Sequence, residues 1–235
     1  PIAEIASLAK AAGALLHCDA AQAAGKLPID VAALGVDLMS ISAHKMYGPK
    51  GIGALYRKPG VALAPQTHGG GQEAGLRSGT LSPALAAGFG AAAKLAAGRL
   101  AEDQRHVAAC RDLLLDTLST RQVGYRLNGA ASPRYAGNLN LCFPNCDGDR
   151  LIAGLRGFAV SSGAACASGS GKPSHVLAAL GLPRDLAKAS LRIGFGRETT
   201  LDDVRRLAEA LDGATQQARI YGDGALPHDG RHGSG

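Results

Sequence analysis

The chain has 235 residues, 46% of them apolar, with 33 Gly and no Trp. That is enough to bury a core of small aliphatic side chains in one large domain or two smaller ones. Its formal charge of +6 comes from Lys and Arg scattered along the sequence; no basic run interleaves with aromatics, which argues against direct nucleic-acid binding.

Residues 2–13 carry Ile2, Ile5, Leu8 and Ala9 at helical spacing, closed by Gly13. The chain opens on Pro1, already at the edge of this helix, which predicts a piece of a longer protein. Ala14-Leu15-Leu16-His17 reads as a short buried strand ending at Asp19, Leu38–Ser42 as a second strand and Ile52–Tyr56 as a third. Strands alternating with helices predict an α/β domain with a largely parallel sheet. A glycine-rich segment, His68-Gly69-Gly70-Gly71-Gln72, and Arg77-Ser78-Gly79-Thr80 follow. From Ser82 to about Thr120 the pattern is one long helix, able to link two domains. Beyond it we expect strands at 125–128, 138–143, 158–161 and 191–195. Helices are expected at about 147–156, 174–180 and 201–219. Together these form a small α+β domain. The domain boundaries read as 1–97, 98–220 and a disordered tail, 221–235, whose His228 and His232 fit a floppy end better than a metal site.

Five cysteines, Cys18, Cys110, Cys142, Cys146 and Cys166, lack the paired spacing of a disulfide framework and predict a reducing, cytoplasmic setting. Cys142 and Cys146 lack two further ligands for zinc. No run of 18 apolar residues predicts a membrane span, and no signal peptide is visible. Gly169-Ser170-Gly171-Lys172 fails as a phosphate loop, because Cys166 stands where its first Gly belongs and Pro173 where Ser or Thr belongs. The His68 loop has no nucleophile elbow to make it a hydrolase feature.

The two adjacent strand ends carry chemistry. Asp19 and Gln22 follow the first strand; Ser42, His44 and Lys45 follow the second. In α/β sheets, ligands gather at the carboxyl ends of strands. A lysine, a carboxylate and a hydroxyl meeting there match what pyridoxal phosphate needs. The amine forms a Schiff base, the acid keeps the pyridine nitrogen protonated, and donors hold the phosphate. Alone, Asp19 reads as a helix N-cap and Lys45 as a surface lysine; together they are far more specific. Cys166 lies among Ser161-Ser162-Gly163-Ala164-Ala165 and Ala167-Ser168-Gly169, a small-residue context that predicts an accessible thiol on a mobile loop.

His17-Cys18-Asp19-Ala20-Ala21-Gln22, Lys26-Leu27-Pro28-Ile29-Asp30, Val36-Asp37-Leu38-Met39-Ser40 and the run from Ser42-Ala43-His44-Lys45 to Tyr56 resemble, in order, the cysteine desulfurases of the NifS/IscS type. So do His68–Glu73, Arg77–Thr80, Ser161–Cys166 and Leu191-Arg192-Ile193. These enzymes belong to class V of the aminotransferases, with the fold type I architecture of pyridoxal-phosphate enzymes. The resemblance covers nearly the whole chain to about residue 219. It implies the C-terminal part of the large cofactor-binding domain followed by the small domain. Roughly the first two-fifths of a typical family chain is absent, and with it further cofactor contacts.

The resemblance implies a catalytic set of Lys45, His44 and Cys166. It places Lys45 on the cofactor, Asp19 on the pyridinium and Gln22 on the ring hydroxyl. Ser42 and His44 contact the phosphate, Thr80 reaches the phosphate of a partner subunit in a homodimer, and Arg192 clamps the substrate carboxylate. The implied reaction takes sulfur from L-cysteine onto Cys166 as a persulfide, leaving L-alanine. The sulfur then passes to an acceptor such as an iron–sulfur scaffold protein or a tRNA-thiolation pathway. Cys166 is also a candidate transient iron–sulfur ligand; no resident metal is expected. The alternatives are a selenocysteine lyase, another class V aminotransferase-like enzyme, or an inactive fragment serving as an interaction module.

Overall fold

A computed structural model describes residues 1–162 and 174–220; the segment holding Cys166 and the tail from residue 221 lie outside the described residues. The chain divides into two compact units, Pro1–His106 and the part from Val107 onward, with the division falling inside one helix.

In the first unit, α1 (Ile2–Ala11) leads to β1 (His17–Asp19). The strand is shorter than the sequence suggests, and Leu15 is exposed. The backbone just before it is satisfied elsewhere: Leu16 N donates to the Asp37 carboxylate at 3.0 Å, while Leu16 O accepts from the amides of Asp37 and Leu38. The short helix α2 (Val31–Leu34) is capped by Asp30, whose carboxylate accepts from Ala32 N and Ala33 N, and it ends on left-handed Gly35. Then come β2 (Leu38–Ser42), a 3₁₀ turn at Ala43–Met46 and β3 (Gly53–Arg57).

The sheet order is β1-β2-β3. β1 runs parallel to β2, with Asp19 level with Ser40, but β3 is antiparallel to β2. The sheet is therefore mixed, not largely parallel, among the described strands. The reason is the link between β2 and β3, which is too short for the crossover that parallel neighbours require. Side chains alternate across the sheet. Met39 is buried, with Cys18 and Ile41 against its cluster; His17, Asp19, Ser40 and Ser42 occupy the register positions of the opposite face.

The long helix α3 (Pro83–Thr120) contributes Phe89, Ala92 and Ala96 to a core with Ala24, Ala43 and Met46 in the first unit. Its later turns place Val107, Cys110, Leu114 and Leu118 in the core of the second unit. Those positions recur every three or four residues, the helical period.

The second unit holds an antiparallel sheet of order β4-β5-β7-β6, formed by Arg126–Leu127, Asn138–Cys142, Ser190–Gly194 and Ser161–Ser162 respectively. Around it lie α4 (Gly148–Ala153), α5 (His175–Ala179), α6 (Arg184–Lys188) and α7 (Leu201–Ala218). Leu139, Leu141, Leu191 and Ile193 meet Val204, Leu207 and Leu211 of α7 in one core. A capping box at Thr200 and Asp203 starts α7.

Candidate cofactor site

The site grows from the carboxyl ends of β1 and β2. After Asp19 the chain turns helically: Ala24 N bonds to Ala20 O, and Leu27 N to Ala23 O. Asp19 starts this turn by accepting from Ala21 N at 2.9 Å. One carboxylate oxygen thus acts as a cap, while the other carries no hydrogen bond among the described residues. Ala20 and Ala24 are buried, so Gln22 is turned outward. Gln22 and Lys26, four residues apart on this turn, meet face to face: Lys26 Nζ donates to Gln22 Oε1 at 2.8 Å.

β2 ends at Ser42, whose hydroxyl lies 3.0 Å from His44 Nδ1. In the 3₁₀ turn that follows, Ala43 and Met46 are buried, which leaves His44 and Lys45 exposed. Glycine makes this anchoring possible at two places. A Cβ on Gly48 would stand 2.9 Å from Ala43 O, and one on Gly25 would stand 2.8 Å from Met46 Cβ. The turn carrying Gln22 and the turn carrying Lys45 therefore pack directly against one another. Lys26 lies close enough to Lys45 for the two charges to interact. Burial, and after it the Lys45 charge, lowers the Lys26 ammonium pKa from its ordinary value.

The structure thus gathers Asp19, Gln22, Ser42, His44 and Lys45 at one end of two paired strands. Thr80 is exposed at the close of a loop of the same unit. That loop is tied by Gly79 N to Gln72 Oε1 at 3.1 Å and by Ser78 N to Thr67 O. Arg192 belongs to β7 of the second unit. It stands opposite Asn140 and Ser161, is exposed, and donates to Ser161 Oγ at 3.3 Å. Cys166 lies outside the described residues. The other four cysteines form no disulfide among the described residues. Burial raises Cys110, Cys142 and Cys146 above the ordinary thiol range, the opposite of what a sulfur nucleophile needs.

Sequence reasoning missed Lys26, and also the pairing of His17 Nε2 with Ser40 Oγ at 2.8 Å. The four-residue spacing of Gln22 and Lys26 was the available signal for the first. The level pairing of β1 with β2 was the signal for the second.

The family profile described as aminotransferase class V matches residues 1–207. The chain belongs to the class V aminotransferase family. Its members include pyridoxal-phosphate enzymes. The cysteine desulfurase IscS of Colwellia psychrerythraea is 51% identical over 220 residues, 93% of this chain and 54% of that protein. Among solved structures, the NifS-like protein of Rickettsia africae superposes with a TM-score of 0.81 at 31% identity, over 92% of this chain and 57% of that one. A structure described as SspA in complex with cysteine matches with a TM-score of 0.70 at 33% identity, over 85% of this chain and 55% of that one. The class V chain therefore spans about half the length of the curated relatives it matches. Among its described residues no helix is long and apolar enough to cross a membrane, and no cluster of metal-ligating side chains occurs.

Proposed function

We propose that these residues form the lysine-bearing part of a pyridoxal-phosphate-dependent cysteine desulfurase. The observation that carries this reading is the parallel pairing of β1 with β2, which sets Asp19 and the turn bearing Lys45 at neighbouring strand ends. The donor set fits the cofactor: an acid with one open oxygen, a hydroxyl–imidazole pair, and a lysine amine with no hydrogen bond or ion pair among the described residues. When bound, the cofactor supplies an aldehyde for an amine and a ring that withdraws electrons. Lys45 would be the residue that bonds it and carries the substrate α-proton. Asp19 would hold the proton on the pyridine nitrogen, Gln22 would donate to the ring oxygen, and Ser42 and His44 would hold the phosphate.

In the same reading, Thr80 serves the phosphate of a second copy in a homodimer, and Arg192 clamps the carboxylate of L-cysteine through a planar two-pronged contact. The Cys166 thiolate takes the sulfur as a persulfide, and L-alanine leaves. The identity to the Colwellia IscS and the cysteine-bound SspA structure support this substrate. The persulfide then serves an acceptor protein in iron–sulfur assembly or tRNA thiolation, in a reducing, cytoplasmic compartment.

Incubating the full-length protein with pyridoxal phosphate and L-cysteine should yield alanine and protein-bound sulfane sulfur in equal amounts. Cys166→Ala should abolish the bound sulfur. Undiminished bound sulfur in that variant, or no alanine from the unaltered protein, would refute the assignment.

A further inference from the structure

We infer that Lys26 is a positioning residue that fixes which end of the Gln22 amide faces the cofactor. The inference rests on the reading above, in which Gln22 is a donor to the ring oxygen. An ammonium has only protons to offer, so the Gln22 atom 2.8 Å from Lys26 Nζ must be the carbonyl oxygen. With that oxygen held, the amide nitrogen is the end left to donate. A glutamine not held in this way turns either end outward at little cost, and the oxygen end would repel a phenolate.

Lys26 is itself held on three sides. Its carbonyl accepts from Gln104 Nε2 on α3 at 3.0 Å. Its neighbour Gly25, at φ +76°, fits against Met46 and Ala96 where a Cβ would clash. Its own amide donates to Ala23 O. The chain of contacts runs from α3 through Lys26 to Gln22, and through Gly25 to Met46, the residue next to Lys45. Among the groups that face the Lys26 ammonium are the Gln22 carbonyl and the charge of Lys45.

A donor to the ring oxygen draws charge from it and lowers the pH at which the bound cofactor's visible band changes. Losing one hydrogen bond to a charged group shifts such an equilibrium about tenfold, or about one pH unit. The test measures that pH midpoint, along with the thermal midpoint, in the full-length protein loaded with pyridoxal phosphate. Gln22→Ala should raise the midpoint by about one unit. Lys26→Met, which keeps the aliphatic stem, should raise it similarly, and Lys26→Arg, which keeps a donor, should restore most of the difference. The Lys26→Met/Gln22→Ala pair should shift no further than Gln22→Ala alone.

An unshifted midpoint in Lys26→Met overturns the proposal. So does full additivity in the double variant, which would make Lys26 a mere charge beside Lys45. If Lys26→Met lowers the thermal midpoint, Lys26→Arg at wild-type stability still decides: a midpoint displaced as far as that of Gln22→Ala refutes positioning by donation. If the unaltered protein gains no visible band, the functional reading itself has failed. If it gains the band but Lys26→Met is silent, only the role of Lys26 has failed.

Discussion

Asp37 shows how one side chain can hold a site's geometry without belonging to it. Its carboxylate takes the Leu16 amide at 3.0 Å and pairs with Lys58 at 3.3 Å. The Leu16 hydrogen bond, followed by Lys58, holds its pKa below the ordinary carboxylate value. A carboxyl depressed in the folded state adds stability that is present above the unfolded value, about 4, and is lost as pH falls through the folded one. Asp37→Asn should therefore lower stability at pH 7 and flatten its decline below about pH 4. Denaturant melts across that range measure both effects, and an unchanged acid limb would show that Asp37 does not anchor the start of β1. The same residue explains a feature that was hard to foresee. Strand propensity runs through Ala14-Leu15-Leu16, but a side chain 21 positions away captures the backbone there and confines the ladder to His17–Asp19.

Among the elements, the most consequential contact is between the turn after β1 and the 3₁₀ turn after β2. Gly25 lies at φ +76° with Met46 Cβ 2.8 Å from where its own Cβ would be. Gly25→Ala adds left-handed strain to overpacking, and should destabilise by about 2–4 kcal/mol. It should also weaken cofactor binding, because Lys45 is carried on the displaced turn. Thermal melts with and without pyridoxal phosphate check both effects; wild-type values would show that the two turns do not bear on one another.

Elements with strong internal periodicity were legible from sequence. In α3, Val107, Cys110, Leu114 and Leu118 form the buried stripe, and α7 occupies the helix expected at 201–219. The short helices α2 and α6 were not anticipated, because in elements of four or five residues tertiary packing weighs more than local periodicity. The direction of β3 was decided by the length of its connection, a stronger constraint than the alternating strand–helix pattern that suggested a parallel sheet.

At the scale of the molecule, the described residues form two units with separate cores. The strand-end residues all belong to the first unit and Arg192 to the second. The strand-end group was legible because each member follows a recognisable strand. Its support by Lys26 was not, because it depends on the helical shape of the turn after Asp19. Lys45 is the proposed residue that bonds the cofactor, and a second lysine, Lys26, lies within reach of its charge. The most direct measurement is to load the full-length protein with pyridoxal phosphate, reduce the linkage with borohydride, digest it and locate the pyridoxyl group by mass spectrometry. A single modified peptide with the group on Lys45 is expected; a group on Lys26 or any other lysine, with Lys45 unmodified, would rule out that role for Lys45.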